Sequence, residues 1–173
     1  MNTPTAHLRN RALLAAIIDR IETDTAALGR LEASEEPFTS WYQGYWREHI
    51  TRNGRCGTNL CAAGYAIELT GGTWLTTRTT EGTFLAGRLL PDYQSSWWAE
   101  YVLADDTDPE DEITVIDGNR VVKAEDRAMR LLGLERSWDG FDADDEHDIE
   151  LHPLFRGHNT LDDLRGWLDR LPA

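Results

Sequence analysis

Hydrophobic positions near the start of the chain recur at helical spacing: Leu8, Leu13, Leu14, Ile17, Ile18, Ile21, Leu28 and Leu31, with Arg9, Arg11, Asp19, Arg20 and Glu22 between them. That pattern predicts one long amphipathic helix. Thr3-Pro4 suits its start, because the missing proline N–H is no loss in a first turn. Pro37, after Ser34-Glu35-Glu36, restricts the residue before it, so the helix should end by Glu35. Phe38, Trp41, Tyr42, Tyr45 and Trp46 repeat the i, i+3, i+4, i+7, i+8 spacing, and residues 38–50 are expected to form a short helix with an aromatic face. An Asn53-Gly54 turn separates it from a third helix over residues 59–69, with Thr58 as N-cap and Gly71-Gly72 as the stop.

The period then changes. Residues 73–77 and 98–103 are β-prone by residue type. Residues 112–116 and 120–122 flank Asp117-Gly118-Asn119 and read as a hairpin. Helical spacing returns over residues 124–134, where Ala128, Leu131 and Leu132 share a side and Gly133 lies near the end. A last helix starts at Asn159-Thr160, with Thr160 and Asp163 placed as a capping box and Leu161, Leu164, Trp167, Leu168 and Leu171 as its buried stripe. The expected fold is α+β: five or six helices around a small antiparallel β-sheet or hairpin in a single domain. Along the chain it divides into an N-terminal helix (1–35), an aromatic helix plus a cysteine-motif helix (38–72), a small β region with an acidic loop (73–122) and C-terminal helices (123–173).

Charge narrows the function classes. Among 173 residues, 31 are Asp or Glu and 17 are Lys or Arg, a formal net charge of −14. A surface of that sign opposes direct nucleic-acid binding, which needs cations to displace phosphate counterions. It equally opposes docking on anionic lipid. What remains is a soluble acidic protein kept dispersed by charge, or a surface that engages a basic partner or imitates nucleic-acid phosphates. The acids concentrate in residues 105–112 and 139–150. Asp105, Asp106, Asp108, Glu110, Asp111 and Glu112 in the first run, and Asp142, Asp144, Asp145 and Glu146 in the second, are the candidate partner-binding residues; a solvated loop is the bland alternative. No apolar run approaches the ~20 residues of a membrane span, no secretory leader is evident, and a cytoplasmic setting is expected. Seven tryptophans are many for this length; most should be core or core-edge.

The candidate chemistry sits in Cys56-Gly57-Thr58-Asn59-Leu60-Cys61-Ala62-Ala63-Gly64-Tyr65, which holds both cysteines of the chain. A helix N-terminus stabilises a nearby anion, and Arg52 and Arg55 lie close in sequence, so Cys56 has the surroundings of a reactive thiol. A nucleophile also needs a base, for which His49 is the nearest candidate and His147, His152 and His158 the remote ones. The same Cys56, Cys61 and His49 are candidate zinc ligands, although one cysteine pair falls short of the usual four-ligand set. A disulfide requires Cys56 to turn back towards Cys61. The remaining reading is structural: small residues Gly57, Ala62, Ala63 and Gly64 with a buried cysteine make a tight packing joint. No phosphate loop, His-Glu-x-x-His pair or EF-hand spacing is present, and no cofactor is expected.

The Cys-Gly-Thr-x-x-Cys-x-Ala-Gly-Tyr stretch, Leu131-Leu132-Gly133-Leu134, and Leu154-Phe155 followed by Asn159-Thr160 and Asp163-Leu164 together resemble, in that order, a group of small uncharacterised proteins of actinobacteria and their bacteriophages. In that group Trp or His often stands where this chain has Tyr65. The likeness runs from about Trp41 onward and leaves out the first helix and residues 105–112. It implies a phage or actinobacterial origin and no activity. Taken with the acidic surface and the incomplete catalytic set, it leads to the expectation of a non-enzymatic acidic phage-type accessory protein. Such a protein binds a host protein with a basic surface, as an inhibitor or a nucleic-acid mimic. The alternatives are a cysteine-dependent enzyme or redox protein using Cys56, and a small metal-binding module.

Overall fold

The computed structural model describes residues 4–28, 38–44, 46–52, 55–79, 81–91, 97–134 and 152–170. Helix α1 (Pro4–Leu28) comes first, and β1 (Phe38–Trp41), β2 (Arg47–Arg52) and β3 (Arg55–Leu60) follow it. Next come α2 (Ala62–Leu69), then β4 (Thr76–Thr79), β5 (Gly82–Leu85), β6 (Arg88–Leu89), β7 (Tyr101–Leu103), β8 (Thr114–Ile116) and β9 (Asn119–Lys123), and last α3 (Ala124–Leu132) and α4 (Leu161–Arg170). Two 3-10 turns, Trp97–Glu100 and Pro153–Phe155, are also present among the described residues. The strands form three three-stranded sheets, ordered β1-β3-β2, β4-β5-β6 and β7-β9-β8.

The class is therefore mixed α and β, but not five or six helices around one sheet. Among the described residues there are four α-helices and three small sheets. The aromatic helix expected over residues 38–50 is two strands. Phe, Trp, Thr and Ile pack well on a pleated surface, and β3 pairs with β1 in parallel and with β2 antiparallel. The cysteine motif is likewise half strand. Helix α2 begins at Ala62 rather than Asn59, and its N-cap is Cys61 rather than Thr58, which is paired with Thr39 and His49 inside the sheet.

Other expectations hold locally. Helix α1 starts at Pro4 and buries Leu14, Ile17, Ile18 and Ile21. The β8–β9 hairpin turns at Asp117-Gly118, with φ of 48° and 81°, the double left-handed geometry that matches strand twist. Helix α3 ends at Gly133 in the left-handed region (φ 64°), and Leu134 N–H reaches back to the Met129 carbonyl at 2.8 Å, a helix stop that glycine adopts without strain. At the start of α4, Thr160 N–H donates to Asp163 Oδ2 at 2.8 Å and Asp163 N–H to Thr160 Oγ1 at 3.2 Å, so the capping box is real.

Sheet β7-β9-β8 lies between two cores. Val102 and Val122 enter the larger one, with α1, α2, α3, Phe155 and Leu164. Val121 and the partly buried Tyr101, Leu103 and Ile116 enter the smaller one, with Leu75, Leu85 and Leu90. The period-two alternation of strand side chains accounts for the division. Trp41, Trp46, Trp74 and Trp167 pack in or against the larger core and Trp98 against the smaller, as expected of tryptophan. Among the described residues, no helix is long and apolar enough to cross a membrane.

Candidate functional site: the cysteine joint and the acidic loop

Gly57 lies under the Phe38 ring across the β1–β3 pair: a Cβ at that position would stand 2.4 Å from the ring. Only glycine leaves room for the aromatic side chain. Cys61 is 1% exposed and belongs to the larger core. Its thiol faces the Trp46 carbonyl at 4.0 Å, and burial pushes the thiol pKa up to about 12. One turn on, a Cβ at Gly64 would stand 2.2 Å from that same Trp46 carbonyl. The Cys61 side chain does not cap α2. Instead Gln43 Oε1 accepts from Ala62 N–H at 3.1 Å and from Trp41 Nε1–H at 2.9 Å, while Gln43 Nε2 donates to the Leu154 carbonyl at 3.0 Å. The motif is thus a joint that locks strand, helix and the segment at Pro153–Phe155.

Below the joint, Tyr65 is 1% exposed and donates its hydroxyl to Asp24 Oδ2 at 2.9 Å; burial first, then the Asp24 carboxylate, raises its pKa. Arg20 Nε pairs with the other Asp24 oxygen at 2.9 Å. Above it, His152 Nδ1 accepts from Leu154 N–H at 3.1 Å, and its ring lies 5.2 Å from that of Trp167. Burial, with the nearby Arg156 charge, holds His152 below its ordinary value of 6.5.

Cys61 is therefore a packing residue with almost no thiolate at neutral pH, unsuited to nucleophilic work. Cys56 sits in β3 opposite Thr51, and His49 in β2 opposite Thr58; the side chains of Cys56 and His49 lie outside the described set, as does His147. Among the described residues no group of three or more His, Cys, Asp or Glu is placed to hold a metal.

The acidic loop, residues 105–112, lies against α3. Asp108 has a fully buried carboxylate (side chain 0% exposed) that accepts from Arg127 Nε at 3.1 Å and from Arg127 Nη2 and Arg130 Nη2, as well as from Asp105 N–H at 2.8 Å. Arg130 also holds Glu112, and Arg127, itself 5% exposed, reaches Asp105 at 3.5 Å and the Leu103 carbonyl at 3.0 Å. Glu110 pairs with Arg120 on β9. Thr107 donates its hydroxyl and its N–H to Asp105, which with the arginines holds the Asp105 carboxyl below the usual carboxylate range. Asp106 and Asp111 are exposed and outside every ion pair of the described residues. The second acidic run, with Asp142, Asp144, Asp145 and Glu146, lies outside the described residues. The sequence reading missed Arg127 and Arg130. Their signal was an i, i+3 arginine pair on a helix following an acid-rich loop.

No family model, curated protein or solved structure matches the chain.

Proposed function

We propose that the chain is a non-enzymatic acidic accessory protein of the phage type its motifs resemble, and that it binds a host protein through a basic surface on that partner. The observation that carries this reading is the acidic loop. Three arginines pair with four of the loop's six carboxylates, so the assembled loop keeps a surplus of negative charge on a net charge of −14. Asp108 anchors the loop from beneath, while Asp106 and Asp111 remain on its outside. Carboxylates held in place cost less ordering on association, and a one-signed field speeds encounter with a basic partner. The burial of Cys61 supports the same reading by removing one of the two thiols from chemistry.

The test is retention of proteins from an actinobacterial lysate on the immobilised full chain, followed by affinity measurement across salt. The Debye length shrinks from about 8 Å at 0.15 M salt to about 3 Å at 1 M. The expected partner is basic, and its complex weakens steeply over that range. A complex indifferent to salt, or no retained protein, overturns the proposal. Competition by duplex DNA for the same partner surface separates a nucleic-acid mimic from a binder of another basic patch.

A further inference from the structure

The outer side of β8 is an open strand edge. Ile116 and Asn119 close the two-residue turn, so they form the hydrogen-bonded pair, and Val115 and Arg120 form the next, non-hydrogen-bonded one. The Arg120 carbonyl accordingly turns away from β8 and accepts from Ala104 N–H at 2.8 Å. By the same alternation, Val115 N–H and C=O point away from β9. Among the described residues no strand pairs with that side, and Val115 is 65% exposed, the most exposed large hydrophobic residue among them. Such edges are normally guarded by short length, charge, proline or a bulge; β8 is short, at three residues, but Thr114-Val115-Ile116 carries no charge and no proline. The β6 edge also shows an apolar side chain, Leu89 at 53% exposure, but it has Arg88 beside it.

We propose that this edge docks an extended basic segment of the partner, added antiparallel to β8 as a fourth strand with an apolar residue packed on Val115. The inference rests on the acidic-partner reading above and names the form the partner takes. Charge complementarity selects the occupant. Glu110-Asp111-Glu112 precede β8 and Asp117 follows it. Glu110 and Asp117 are held only by exposed ion pairs, with Arg120 and Arg88; such pairs contribute little and exchange readily. A second copy of the chain would bring its own carboxylates to the same place, where like charges across a strand pair repel. Main-chain hydrogen bonds then give affinity, and alternate side chains give selectivity.

The experiment uses the isotope-labelled full chain at low salt and three probes: a short alternating lysine–valine peptide, the same peptide N-methylated on one edge, and an alternating lysine–glycine peptide. The lysine–valine peptide should bind and slow exchange of the Val115 amide. N-methylation and replacement of valine by glycine should each weaken binding about tenfold or more, the equivalent of one or two net hydrogen bonds or one apolar contact. Val115→Pro should do the same without lowering the melting temperature, since the fold does not use that N–H; should the variant unfold, the N-methylated peptide decides. Binding of all three peptides alike, with Val115 exchange unchanged, overturns the edge and leaves the acidic-surface reading standing. Absence of binding to any of the three overturns the edge, while the lysate experiment judges the wider reading separately. Protection of Val115 by self-association, seen in sedimentation without peptide, assigns the edge to a second copy and also overturns the proposal.

Discussion

The cysteine joint and the acidic loop each gather chemical side chains, and the fold uses them in opposite ways. In the joint, Cys61, Gly64 and Gln43 turn inward, and the contacts that matter are van der Waals closeness and buried hydrogen bonds. In the loop, Asp108 alone is buried, and its neighbours are displayed around it. The part of the motif around Gly57, Cys61 and Gly64 serves packing, whereas a run that looks like solvated filler is fastened to the helix behind it. Exposure and partner decide the role, not residue type.

The largest effect that sharpens this contrast is on stability. Asp108→Ala leaves Arg127 buried without its main counter-charge and should cost about 3–5 kcal/mol in denaturant unfolding. A cost under about 1 kcal/mol would make the loop an ordinary surface turn. Gly64→Ala drives a methyl into the Trp46 carbonyl, which is backbone and cannot swing aside, and should cost about 1–3 kcal/mol. A neutral result would break the joint. Next comes reactivity. With its thiol pushed up to about 12, Cys61 should resist iodoacetamide at neutral pH until the protein unfolds; mass spectrometry of the native protein checks this.

Acid should separate the two regions in order. The unfolded chain takes up a proton at His152 near its ordinary 6.5, while the folded protein resists it. The stability His152 contributes is therefore intact above 6.5 and is lost as pH falls from there through the lower folded value. Asp105, held below its ordinary 3.8, keeps its contribution until pH drops beneath that value. Melting temperatures measured down from pH 8 should begin to fall below 6.5, and His152→Asn should remove that early part of the fall. The smallest expected effect is that of Asp106→Asn with Asp111→Asn, which should leave stability within about 0.5 kcal/mol and weaken partner binding.

Much of the fold was legible where local rules speak alone. Pro4, the Asp117-Gly118 turn, Gly133 and the Thr160/Asp163 box all mark ends that short-range geometry decides. Residues 38–50 were misread because aromatic residues at helical spacing are also good strand formers, and pairing between distant strands settled the matter. The β5–β6 hairpin gave no signal, since its turn is Ala86-Gly87 and alanine seldom adopts φ 48°. At the candidate site, the packing role of Gly57 depends on Phe38 and that of Gly64 on Trp46, contacts across the fold that spacing cannot reveal. The anchoring of Asp108 was hidden for the same reason.

The account stands on the claim that the acidic surface, and not the cysteine motif, carries the activity. The direct test is the affinity of a retained host protein for the wild-type chain, for Cys56→Ala and for Asp106→Asn with Asp111→Asn, each at low and high salt. The account predicts that Cys56→Ala matches wild type, that the double variant binds more weakly at low salt, and that the difference closes as salt rises. Loss of binding in Cys56→Ala with the double variant unaffected would contradict it.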